Sequence, residues 1–175
     1  MVKIAIIGPE CTGKTTLCHQ LADYYNTLWI PEYARQYIEN VHRKYTYEDV
    51  EKIAEYQFQQ ICGSEKLNLK YVFFDTELII SKIWFNIVFN KEPSWLDTAI
   101  RNSNFQIYLL CNTDIPWEAD SVRENGGQMR EKLFDIYKKT LIQFNLPFSE
   151  IEGTGSERLQ NATYIVNKLE GHSRS

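Results

Sequence analysis

The sequence predicts an α/β fold in three layers, a five-stranded parallel sheet with helices on both faces. Two observations carry that expectation. Apolar, strand-like runs alternate along the chain with segments of helical period. The first turn between them, Gly8-Pro9-Glu10-Cys11-Thr12-Gly13-Lys14-Thr15, is a glycine-framed loop set directly on the apolar run Val2 to Ile7.

Each element has its own signal. After the loop, Leu17, Leu21 and Tyr25 recur at helical spacing, with Cys18 and Ala22 beside them. Thr27 to Ile30 is a short strand stopped by Pro31, and residues 32–43 place Ala34, Tyr37, Ile38 and Val41 on one helical face. Thr46-Tyr47-Glu48-Asp49 has the spacing of a capping box and opens a helix that Gly63 is expected to stop. Tyr71 to Phe74 reads as a fully buried strand ending at Asp75. Leu78 to Phe89 reads as a helix so apolar that it is either core or part of a protein interface. Ser94-Trp95-Leu96-Asp97 matches a second capping box, before a short helix. Phe105 to Leu110 and Pro147 to Ile151 are the last two strands, and helices over about 129–144 and 156–169 follow them.

With 175 residues, 43% of them hydrophobic, the chain is expected to be one domain over 1–171, with a polar tail at 172–175. A net charge of −4 argues against a nucleic-acid partner. The four cysteines lack metal-ligand spacing and read as free thiols, and the three histidines are scattered, each expected at the surface. No leader is expected, because strand-like residues begin at once, and no segment has the length of a membrane span. A cytoplasmic protein is the expectation, and a homo-oligomer is left open.

The loop fits G-x-x-x-x-G-K-[ST], a match that chance would supply roughly once in a hundred chains of this length. Its mechanics follow from its residue types. Gly8 and Gly13 let the backbone approach a ligand, and the amides of residues 8–16 can form an anion nest at a helix start. ATP binding is therefore assigned to Gly8, Glu10, Cys11, Thr12, Gly13, Lys14, Thr15 and Thr16, with Arg123 added from farther along the chain. Lys14 would reach the β- and γ-phosphates, while Thr15 would ligate Mg²⁺.

Ligands of parallel sheets bind at the carboxyl ends of strands, so the residues there carry the remaining candidates. Asp75 would hold Mg²⁺ or substrate, or, with Thr76, cap the next helix. Glu32 could accept a proton from an alcohol and Arg35 steady phosphate charge, although Pro31 and Glu32 also suit a helix start. The charged, glycine-hinged stretch at about 115–130 reads as a lid bringing Arg123 and Arg130 to a migrating phosphoryl group. Trp117 is either a stacking platform for a flat ring or a buried lid anchor. Gly153 to Arg158 would wrap the adenine edge, or form a turn with Ser156 as cap. A guanine-reading N-K-x-D is missing, and motor and AAA-type ATPases are set aside on size and on sensor motifs that are not found.

The stretches GPECTGKTTL, PEYARQYIE, FFDTE, LLCNTDIPWEADSVREN, MREKLFDIYKK and LPFSEIEG resemble the ribosylnicotinamide kinase domain of bacterial NadR-type NAD-biosynthesis proteins, nearly end to end. The resemblance implies a P-loop kinase that moves the ATP γ-phosphate to the 5′-hydroxyl of nicotinamide riboside. It implies a substrate site at Glu32, Tyr33, Arg35, Asp75, Trp117 and Asp120, and catalysis by Lys14, Asp75, Glu32, Arg123 and Arg130. Two departures stand out. Cys11 takes the place of the family's usual serine, and Asp120-Ser121-Val122-Arg123 replaces D-G-L-R, which leaves the lid's backbone path open. No H-x-G-H nucleotidyltransferase motif and no helix-turn-helix is found, so a free-standing kinase is expected.

Overall fold

The computed structural model describes residues 1–118 and 127–172, with side chains to 169. Five parallel strands form one sheet: β1 (Val2–Ile7), β2 (Leu28–Ile30), β3 (Tyr71–Asp75), β4 (Ile107–Cys111) and β5 (Phe148–Ile151). Their order is β2-β3-β1-β4-β5, so the strand that leads into the phosphate loop is central. Among the described residues the helices are α1 (Lys14–Tyr24), α2 (Tyr33–Val41), α3 (Tyr47–Ser64), α4 (Leu78–Trp84), α5 (Leu96–Asn102), α6 (Gln128–Gln143) and α7 (Gly155–His172).

Strand alternation divides the core into two layers. Ile4 and Ile6, with Phe73 and Leu109, face Leu17 and Leu21 of α1 and Ala162 and Val166 of α7. Ala5 and Ile7, with Val72, Phe74, Tyr108 and Leu110, face α3, α4, α5 and α6. A strand buried on both faces must be apolar at consecutive positions, which is why β1 shows no alternation in sequence. The register sets Ile6 beside Asp75 and Ile7 beside Leu110, bringing the ends of β3 and β4 to the start of the loop.

The Thr46–Asp49 box forms, with the Thr46 amide donating to Asp49 Oδ2 at 2.8 Å. Asp49 is also held by Arg43 and by Tyr37 Oη at 2.9 Å, which fastens α2 to α3. Arg43 first, then these hydrogen bonds, keep its carboxyl well below the usual range despite burial.

Four local expectations are corrected. Gly63 does not stop α3, which runs through it to Ser64. The Ser94–Asp97 box does not form, because Asp97 is taken up by Lys82, whose Nζ donates to it at 2.6 Å and to Glu92 at 2.6 Å. Ser156 is not a cap, since α7 already begins at Gly155. The apolar helix is α-helical only to Trp84 and continues as a π-turn over Phe85–Phe89. Leu78, Ile79, Ile83 and Phe85 are core, while Ile87 and Val88, 45% and 43% exposed, look outward from that turn. Among the described residues, no helix is long and apolar enough to cross a membrane, and the four cysteines are free.

Candidate active site

The phosphate loop owes its path to close approaches. A Cβ on Gly8, which sits at φ +139°, would come within 2.8 Å of the Cys111 carbonyl, so any side chain there would push β4 away. Gly13, at φ +72°, lies under Ile115, whose Cδ1 would be 2.9 Å from an added Cβ. The buried Thr12 hydroxyl donates to the Pro9 carbonyl at 2.9 Å and closes the loop on itself. Lys14 Nζ donates to the same carbonyl at 2.8 Å, so the ammonium already lies within the loop. Cys11 is also engaged: its thiol donates to the Pro116 carbonyl at 3.4 Å and accepts from the Glu118 amide at 3.3 Å. Residues 115–118 therefore run over the loop. Glu10 stays half-buried at its rim, and Thr16 is exposed on the first turn of α1.

Asp75 ends β3 opposite Thr15, whose hydroxyl donates to its Oδ2 at 2.6 Å. The carboxylate is 2% exposed, and its Oδ1 has no partner. Burial raises its pKa, against the Thr15 hydrogen bond and the charges of Lys14 and Arg35, which lower it. A buried, unsatisfied carboxylate oxygen beside a threonine hydroxyl suits a hard cation with oxygen ligands. Among the described residues no group of three or more His, Cys, Asp or Glu could hold a metal by itself. Mg²⁺ is ordinarily bound through one or two protein oxygens and the substrate's phosphates, and the Thr15 and Asp75 oxygens are of that kind.

Glu32 occupies the cap position of α2 without capping it, which leaves its carboxylate for other work. Burial raises its pKa; Lys14 opposes this, Asp75 adds to it, and Arg35 and Glu10 act in smaller measure. The two candidate proton acceptors thus share one electrostatic neighbourhood. Beside them a groove of about 320 Å³ is lined by Glu32, Tyr33, Arg35 and Tyr56. Tyr33 and Tyr56 lie against each other in that lining, ring centroids 3.9 Å apart and planes tilted by 30°.

The other candidates are distributed differently. Arg130, buried on α6, donates to the carbonyls of Thr113 and Ile115, so its guanidinium holds the stem of the expected lid. Trp117 is half-buried on that stem. Asp120 and Arg123 lie outside the described residues. Arg158, in the stretch proposed for the adenine edge, instead points inward to Thr12, Asn112, Asp114 and Gly153.

Two participants escaped sequence reasoning, Tyr56 and Glu77, and Arg158 was expected in another role. The cap of α4 is Glu77, not Asp75 or Thr76; its Oε1 accepts from the Ile79 amide at 2.8 Å. It is 1% exposed with Oε2 unpartnered, and burial lifts its pKa to about 8. Between the unfolded value of 4.5 and about 8, the folded chain holds a proton that the unfolded chain releases. Stability therefore falls as pH rises through that window. Glu77→Gln keeps the cap and is expected to flatten the slope, raising Tm at pH 8 by several degrees while leaving it unchanged at pH 4. Parallel melting curves would refute this.

A family profile described as an AAA domain matches residues 3–158. The chain belongs to this AAA-domain family. The name is the one set aside above, so the correction is one of scope: size and missing sensor motifs do not separate this chain from a family that carries that name. The resemblance noted in the sequence holds as well. The trifunctional NAD biosynthesis/regulator protein NadR of Escherichia coli strain K12 is 27% identical over 179 residues, 98% of this chain and 43% of that protein. This AAA-domain chain thus spans less than half the length of that curated relative. A NadR protein in complex with NR superposes with a TM-score of 0.78 at 20% identity, over 95% of this chain and 50% of that one. Deoxyadenosine kinase from M. mycoides superposes at 0.65 with 19% identity, over 97% of this chain and 100% of that one. The fold is the α/β fold of P-loop kinases.

Proposed function

We propose that the chain is a single-domain kinase that transfers the γ-phosphate of ATP to the 5′-hydroxyl of nicotinamide riboside, giving nicotinamide mononucleotide in the cytoplasm. One observation carries most weight. The Lys14–Thr15–Asp75 centre adjoins a groove whose lining combines a carboxylate with a contacting pair of tyrosines. A phosphate-binding loop supports the donor half of the reaction. A carboxylate for sugar hydroxyls, beside an aromatic face for a flat cationic ring, supports the acceptor half.

In this reading Lys14 exchanges the Pro9 carbonyl for the β- and γ-phosphates. Mg²⁺, held by Thr15 and Asp75 with the phosphates, would supply charge neutralisation on the transferred group. Glu32 or Asp75 orients the acceptor hydroxyl and takes its proton. Phosphoryl transfer is won largely by positioning, so a modest base suffices. Arg123, together with Arg130 once it leaves the Thr113 and Ile115 carbonyls, would close over the phosphates as part of a lid at about 115–130. Asp120 and Trp117 would complete the acceptor side.

ATP consumption measured across nicotinamide riboside, uridine, cytidine, deoxynucleosides and nucleoside monophosphates tests the assignment. Preference for a deoxynucleoside would move it to the second reading, a kinase of another nucleoside, which the likeness to deoxyadenosine kinase favours. With the riboside, Tyr33→Ala and Tyr56→Ala are each expected to raise its KM about tenfold, with the KM for ATP unchanged, the size of one lost cation–π contact. Equal effects on both KM values would place the tyrosine pair outside the acceptor site.

A further inference from the structure

Arg158 is 3% exposed and has all of its described contacts at the junction of three loops. Its Nη1 donates to the Thr12 carbonyl at 3.0 Å and its Nε to the Gly153 carbonyl at 2.7 Å. Its Nη2 reaches the Asn112 carbonyl at 3.3 Å and pairs with Asp114 Oδ1. Asp114 in turn accepts from the Gly153 amide through Oδ2 at 2.6 Å. One guanidinium therefore joins the phosphate loop, the stem that follows β4 and the turn that follows β5.

The contact with Thr12 bears on the chemistry. A trans peptide is planar, with its carbonyl and the next N–H pointing in opposite directions. Fixing the Thr12 carbonyl toward Arg158 consequently fixes the Gly13 N–H away from it, into the concave side of the loop. Gly13 has the torsional freedom to turn over: it sits at φ +72°, where glycine has no steric preference holding it. Thr12 itself is fully buried, and the described hydrogen bond of its side chain goes to Pro9, so the peptide after it is oriented from the Arg158 side.

We propose that Arg158 is the positioning residue of the triphosphate site, presenting the Gly13 amide to the donor's phosphates and tying that presentation to the Asn112–Asp114 stem. The inference deepens the nucleotide half of the function above and is independent of which alcohol accepts the phosphate.

The experiment measures calorimetric affinity for adenylyl imidodiphosphate with Mg²⁺, together with the amide ¹H–¹⁵N resonance of Gly13. Arg158→Met is expected to weaken binding about tenfold to thirtyfold, the scale of losing a charge-assisted hydrogen bond. In the parent protein the Gly13 resonance moves downfield on binding, and in Arg158→Met it does not. Arg158→Lys keeps a buried cation opposite Asp114, so it preserves the fold where methionine fails to. One ammonium cannot span Thr12, Asn112 and Gly153 together, so an affinity loss of about fivefold is expected from the lysine variant. A folded lysine variant that binds within twofold of the parent, with the Gly13 shift intact, overturns the proposal. A lowered Tm with unchanged affinity also overturns it, leaving Arg158 a purely structural residue. A parent protein that fails to bind the analogue overturns the donor assignment itself, and that result is visible before any variant is made.

Discussion

Lys14→Ala is expected to cut kcat by about a thousandfold or more while the protein remains folded. The ammonium makes one described hydrogen bond, to the Pro9 carbonyl, and sits on the first residue of α1, where alanine is an excellent helix former. Its loss leaves the Pro9 carbonyl still bonded by the Thr12 hydroxyl. Among the described residues the ammonium is a side-chain cation already bonded within the loop, and alanine offers the phosphates nothing in its place. Circular dichroism and Tm close to the parent, with turnover gone, is the expected pair of results. A folded variant with kcat within tenfold of the parent would remove Lys14 from the chemistry.

Asp75→Asn is expected to move activity and stability in opposite directions. The amide oxygen can still accept from Thr15, but the charge that would hold Mg²⁺ is gone, and kcat should fall by about a hundredfold to a thousandfold. Stability follows from the raised pKa. An acid whose folded pKa lies above its unfolded value stabilises the fold when protonated and loses that contribution as pH rises through the folded pKa. The parent loses it progressively as pH rises above the unfolded value, whereas asparagine never ionises. The variant should melt above the parent at pH 7, and the gap should close as pH falls toward the ordinary value of 3.8. A variant that melts below the parent at pH 7, or retains full Mg²⁺-dependent turnover, would show that Asp75 is not held at a cost for catalysis.

The layered fold was legible because β1, β3 and β4 are buried on both faces and must be apolar throughout, whereas the helices between them bury one stripe. Lys14, Thr15 and Asp75 were legible for a related reason: a loop pattern and a strand end fix the position of a side chain without any knowledge of packing. The misses are tertiary. Asp97 has the right spacing for a cap, but the nearly buried Lys82 outbids the helix terminus for it. Neither period nor propensity separates an α-turn from a π-turn, so Phe85–Phe89 carries no mark in the sequence. Tyr56 reads as an ordinary outward position of α3 until α2 folds back and lays Tyr33 on it. Arg158 reads as a charge near a helix start, and its bonds to residues 44 and 146 positions away have no local signature.

The interleaved strand order has a consequence for synthesis. β1 leaves the ribosome first, yet its two neighbours in the sheet, residues 71–75 and 107–111, are made much later. Until then, an apolar segment with both hydrogen-bonding edges bare must wait, the condition under which nascent chains stick to one another or to chaperones. With Arg158 in the role proposed for it, the phosphate centre is completed later still, when residue 158 arrives. On that proposal a nucleotide ligand stabilises only chains made past residue 158, and a product truncated before it gains nothing from the ligand.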